Sequence, residues 1–161
     1  MAAHATRLIV DAFTFYNEFE MLEFRLAELD HVVDFFVICE ATLTHAGRPK
    51  ELLFERHADR YAKYLHKIVH VVDDDMPPTD DAWVREHHQR NALTVGLEGL
   101  NLAPSDWVLV TDCDEIPSTT LLASLQRTEP KLCSLSMETY YYSFKWRWRD
   151  PWDEYLSLIH I

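Results

Sequence analysis

The chain reads as an α/β protein, with a mostly parallel central sheet covered by helices on both faces. Three observations predict this. Short apolar runs alternate along the chain with stretches of helical periodicity. The runs are apolar throughout, as strands covered on both faces must be. Finally, 161 residues, 48% of them apolar, suffice for one domain with a sizeable core.

The elements follow in order. Leu8-Ile9-Val10 is a strand that ends at Asp11. Asn17, with Glu20 three residues on, gives a capping-box-like helix start, and Phe19, Leu22, Leu26, Leu29 and Val33 fall near one face. Phe35–Cys39 is a second strand that ends at Glu40, followed by a polar loop from Thr42 to Pro49 containing Gly47. Ala58, Tyr61 and Leu65 suggest a short helix, and Ile68–Val72 a third strand stopped by Asp73-Asp74-Asp75. Asp80 or Asp81 caps a longer helix that runs to Leu100, with Trp83, Leu93, Leu97 and Leu100 as its apolar positions. Trp107–Thr111 is a fourth strand. Ser118 caps a helix with Leu121, Leu122 and Leu125 inward, and Leu132–Met137 and Tyr140–Phe144 read as later strands. No repeat, linker or low-complexity segment interrupts the pattern.

Composition narrows the function. The formal charge is −12, from 15 Lys plus Arg against 27 Asp plus Glu. Such a field repels nucleic acid and anionic membranes. It also repels an anionic nucleotide unless a bound divalent cation offsets it locally. Cys39, Cys113 and Cys133 are too few and too widely spaced for a disulfide framework or a zinc site, and read as buried free thiols. Gly47, Gly96 and Gly99 cannot form a dinucleotide fingerprint or a Walker A loop, which argues against a dehydrogenase and a P-loop kinase. No segment has the length of a membrane span, and the N-terminus lacks a signal-peptide core, so the chain as given is expected to be cytoplasmic.

The informative motif is Asp112-Cys113-Asp114, directly after the fourth apolar run. In extended backbone, residues i and i+2 share a side, so the two carboxylates lie roughly 6–7 Å apart and face one site while Cys113 points away. Paired carboxylates suit a hard cation, Mg²⁺ or Mn²⁺. In open α/β sheets ligands bind beyond the carboxyl ends of the strands. The plain alternative is two solvated loop residues before the turn at Ile116-Pro117. Asp11, Glu40, Asp73 and Asp112 all end apolar runs and so gather on one sheet edge, although Asp73-Asp74-Asp75 reads best as a solvated turn. His87 and His88 cannot both face one site, and read as surface or packing residues.

The order of motifs resembles glycosyltransferase family 17. The residues concerned are Asp11-Ala12-Phe13, Asn17-Glu18, Leu22, Arg25-Leu26, Val37-Ile38-Cys39-Glu40, Thr44-His45-Ala46-Gly47, Lys50, Lys67-Ile68, Trp83, Glu86, Arg90, Asp112–Pro117 and the aromatic run Tyr140 to Trp148. The match covers nearly all of residues 7 to 152. It implies a GT-A type fold, with one Rossmann-like nucleotide-binding domain over residues 1–155. It also implies inverting transfer of N-acetylglucosamine from a UDP-sugar to a glycan acceptor. Asp112 and Asp114 are then the metal and diphosphate residues. Asp11, Phe13, Glu40, His45, Lys50 and Arg90 are donor-site residues, with Mn²⁺ or Mg²⁺ as cofactor. The general base is expected downstream of this chain, because Glu115 alternates away from the metal pair. Residues 156–161, including His160, read as a non-native tail and carry no site. Among Tyr140-Tyr141-Tyr142, Trp146 and Trp148, core packing is the default, with sugar stacking open to the outward set. Two other classes stay open on sequence alone. One is a haloacid-dehalogenase-like phosphohydrolase with Asp112 as nucleophile. The other is an inactive, truncated nucleotide-binding fragment.

Overall fold

The computed structural model describes residues 7–128, 132–135, 137, 138, 140, 143, 145–147 and 156–159. The elements are β1 (Ile9–Thr14), α1 (Phe19–Leu29), β2 (Phe35–Ala41), α2 (Leu53–Arg56), β3 (Ile68–Asp73), α3 (Ala82–Glu98), β4 (Trp107–Asp112), α4 (Thr119–Leu125), β5 (Cys133–Leu135) and β6 (Leu156–Ile159). The sheet order is β3-β2-β1-β4-β6-β5. β1 pairs in parallel with β2 and β4, and β2 with β3. β6 runs antiparallel to β4 and β5. The result is a Rossmann-like α/β sheet whose chain order reverses between β1 and β4, the place where such sheets open a crevice.

Strand alternation builds two cores. Ile9, Phe13, Phe36, Ile38, Trp107 and Leu109 point toward α1, α2 and α4, where Leu22, Leu26, Leu29, Phe54, Leu122 and Leu125 meet them. Their neighbours Val10, Ala12, Val37, Cys39, Val71, Val108 and Val110 point to the opposite face, under Leu93 of α3. Residues on that second face are small, so α3 lies close. Gly96 sets the approach, because a Cβ there would stand 2.6 Å from Val37 Cγ1 and 2.8 Å from Val71 Cγ2.

Several expectations are corrected. β1 does not end at Asp11. It runs to Thr14, because Ala12 and Phe13 are buried on opposite faces and extend the ladder beside β4. Asn17 does not cap α1. Glu18 occupies the cap position, and its carboxylate accepts the amides of Tyr16 and Asn17, each at 3.0 Å. Trp83 is 67% exposed, so α3 does not turn that residue inward. Leu121 is likewise exposed, while Leu122 and Leu125 are buried. Asp81 does cap α3, accepting the amide of Trp83 at 2.9 Å. Residues 156–159, which sequence reading sets aside, form β6. Of the expected strand over Tyr140–Phe144, Tyr140 makes a bridge to Arg147. Tyr141, Tyr142, Phe144 and Trp148 lie outside the described residues.

Candidate functional site

The Asp112–Glu115 turn is built from below by a buried arginine. Arg25 sits on the inner face of α1, 0% exposed. Its Nε and Nη2 donate to the two oxygens of Asp11 at 2.8 and 2.7 Å, and Nη2 also donates to the Thr111 hydroxyl. Nη1 donates to the carbonyls of Asp112, Cys113 and Glu115 at 2.8, 3.1 and 3.0 Å. The ring of Phe13 lies 4.3 Å from the guanidinium carbon. Burial opposes the charge on Arg25, but Asp11 more than restores it. The planar fork thus fixes three carbonyls of the turn with one side chain.

Held in this way, the turn alternates. Cys113 is buried in the α1-side core, and burial pushes its thiol up to about 12, so it stays neutral. Its neighbours Asp112, half-buried, and Asp114, exposed, join it in lining a cavity of about 530 Å³ at the carboxyl ends of β1, β2 and β4. Thr14, Phe15, Tyr16 and Glu18 form one wall, and the 43–46 segment with Lys50 forms another. Glu86 and Gln89 of α3 close it. Glu115 folds back to cap the turn, accepting the Asp112 amide at 2.9 Å.

The loop after β2 is fastened from both faces. Gln89 spans His45 Nε2 and the Cys39 carbonyl at 2.8 and 3.2 Å. Arg85 donates to the His45 carbonyl at 2.9 Å and fills the space beside Gly47, which needs its positive φ of 75° for the tight turn. On the other side Glu40 accepts the amides of Leu53 and Phe54 at 2.6 and 2.9 Å, His70 Nε2 at 3.2 Å and Lys50 Nζ at 3.4 Å. Burial works against its charge, but His70, Lys50 and the two amides together hold its carboxyl below the usual range.

Of the residues grouped by sequence, His45, Lys50, Asp112 and Asp114 line the cavity. Asp11, Phe13 and Glu40 lie beneath its walls and are 0% exposed. They reach the cavity through Arg25, Lys50 and the backbone. Arg90 stands at the side and pairs with Asp112 Oδ1 at 2.8 Å and with Glu86 at 3.2 Å. Arg85 and Gln89 were not singled out by sequence. Their signal is a polar i, i+4 pair in line with Leu93 on the face of α3 that meets the sheet. One expectation is overturned nearby. Asp73 is no solvated turn residue, being 2% exposed on the α3 face of the sheet. Asp74 and Asp75 are exposed as expected.

The family model described as Glycosyltransferase family 17 matches residues 2–159. Curated relatives are β-1,4-mannosyl-glycoprotein 4-β-N-acetylglucosaminyltransferases. Those of Rattus norvegicus and Homo sapiens are each 37% identical over 118 residues, and that of Mus musculus is 36% identical. The aligned stretch covers 70% of this chain and 22% of each relative. No helix among the described residues is long and apolar enough to cross a membrane.

Proposed function

The chain belongs to glycosyltransferase family 17, and we propose that its cavity holds the nucleoside-diphosphate part of a UDP-sugar for inverting N-acetylglucosaminyl transfer to a glycan. A GT-A type assignment goes with this reading. The observation that carries it is that Asp112 and Asp114 both line one cavity at the switch point of the sheet, while Cys113 between them is buried against the core.

The donor set fits Mn²⁺ or Mg²⁺. Such cations are held through one or two carboxylates, with substrate phosphates completing the shell. Glu18, Glu86, Asp112 and Asp114 among the lining residues repel a bare diphosphate, and Lys50 alone does not offset them. Asp112 and Asp114 would hold such a cation, which would supply that offset and stabilise charge on the leaving diphosphate. The chain's own residues position the donor. Arg25, braced by Asp11 and Phe13, fixes the turn. Arg90 orients Asp112. Glu40 sets Lys50 at the cavity wall, over the Tyr16 ring at 5.4 Å. Gln89 sets His45. Glu115 is occupied within the turn, which leaves it unsuited to act as the base that inversion requires. Arg90 on Asp112 and the family match both weigh against Asp112 as a phosphohydrolase nucleophile.

A thermal-shift titration tests the reading. UDP with Mn²⁺ should raise the melting temperature through mass action, and Asp114→Ala should abolish the rise. Equal stabilisation by UDP without any divalent cation would refute it.

A further inference from the structure

Asp73 ends β3 with a buried carboxylate, neither of whose oxygens has a well-directed hydrogen-bond donor. An ionised carboxylate left so is costly, and such an atom in a folded protein calls for an occupant. Its surroundings supply the means. Val69, Val71 and Asp73 share the α3 face of the strand, and α3 places His88 there. His88 Nε2 stands 3.3 Å from Asp73 Oδ1 and 3.0 Å from Asp75 Oδ1. One ligand atom from each of the three lies within 4.8 Å of the others, the only such group among the described residues.

The two separations from His88 are hydrogen-bonding distances, and they also match those within a coordination shell. Two ligands about 2.1 Å from one ion lie about 3.0 Å apart in octahedral and about 3.4 Å apart in tetrahedral geometry. An imidazole with two carboxylates selects a divalent transition metal over Ca²⁺. Asp75, with its side chain 84% exposed, leaves a path from solvent.

We propose that Asp73, Asp75 and His88 form a second divalent-cation site, for Zn²⁺ or Mn²⁺, separate from the Asp112–Asp114 pair. Bound there, the ion pins α3 to the outer edge strand. It thereby braces the helix that carries Gln89 and Arg90, and the Thr42 amide that donates to the Asp73 carbonyl at 2.9 Å. The site is structural, and it stands or falls independently of the donor cavity.

Calorimetric titration of the metal-stripped full chain with Zn²⁺, repeated with Mn²⁺, tests it. One equivalent of either ion should bind to the Asp112→Asn/Asp114→Asn double variant. His88→Gln and Asp75→Asn, both at accessible positions and compatible with folding, should each weaken that binding about tenfold or more. On adding metal, the ¹⁵N resonance of His88 Nε2 should move to that of a metal-bound nitrogen. The proposal is overturned if His88→Gln binds with unchanged affinity and stoichiometry. It is equally overturned if the His88 ring nitrogen resonances are unchanged at saturating metal.

Discussion

Asp11 and Asp73 are the same residue, both on strands of one sheet, both all but inaccessible to water. Their surroundings differ entirely. Asp11 receives two guanidinium hydrogen bonds, and Arg25 carries the remainder of its donors to the turn bearing Asp112. Asp73 has no guanidinium partner, and burial pushes its carboxyl above the usual range, with His88 at 3.3 Å offsetting this only in part. The first arrangement is closed: every polar atom has its partner, so Asp11 acts as a strut and has nothing left to offer a ligand. The second is open on the side of His88 and Asp75. Burial alone therefore does not separate scaffold from site in this fold, whereas the state of hydrogen-bond satisfaction does.

Removing the strut's partner should give the largest effect. Arg25→Met leaves Asp11 buried and uncompensated and strips three carbonyls of their donor, so it should cost about 3–5 kcal/mol in urea unfolding. A loss below about 1 kcal/mol would show that Arg25 does not hold the turn. Gly96→Ala comes next. Its methyl meets Val37 and Val71, and overpacking of about 1–3 kcal/mol should outweigh a gain in helix propensity of about 1 kcal/mol. By lifting α3 it should also weaken metal binding at the corner, a link that unaltered Zn²⁺ affinity would break. Asp73→Asn should change the stability of the metal-stripped protein by less than about 1 kcal/mol, because no donor is orphaned. A cost equal to that of Asp11→Asn would erase the contrast between the two.

The smallest effect concerns Glu40, which resembles Asp11 in being satisfied on every side. Its carboxyl is held low in the folded chain, so its contribution is fully present above the unfolded value of about 4.3. It is lost as pH falls through the folded value. Glu40→Gln should therefore flatten the decline of the urea midpoint below about pH 4. A decline as steep as in the unaltered chain would assign the acid sensitivity elsewhere.

Much of this architecture was legible in the residues. Fully apolar runs announced strands covered on both faces, and the burial of Cys113 between the half-buried Asp112 and the exposed Asp114 follows the expected alternation, although all three line the cavity. An aspartate cap at Asp80 or Asp81 was readable because such a side chain satisfies a free helix amide, and the structure gives the role to Asp81. What escaped was every charged residue that belongs inside. Asp11 looked like a strand terminus because a carboxylate is normally solvated, and only a partner 14 positions along makes it tolerable in mid-strand. The face of α3 was misassigned for a related reason. Its buried positions include Arg85 and Gln89, and its contact with the sheet rests on Gly96, so apolar periodicity points at the exposed Trp83 instead. Asp73 was hidden by its neighbours, since three aspartates in succession look solvated until alternation turns one of them under the helix.

The role of Asp112 and Asp114 in a cation-dependent diphosphate site can be read from paramagnetic broadening of the ¹⁵N-labelled chain by trace Mn²⁺, compared with and without UDP. Apart from UDP-independent broadening around Asp73, Asp75 and His88, further broadening that appears only with UDP and centres on the amides of Asp112 to Glu115 and of Thr14 is the expected outcome. UDP-dependent broadening centred elsewhere, or none, would contradict the assignment of this cavity as the donor site.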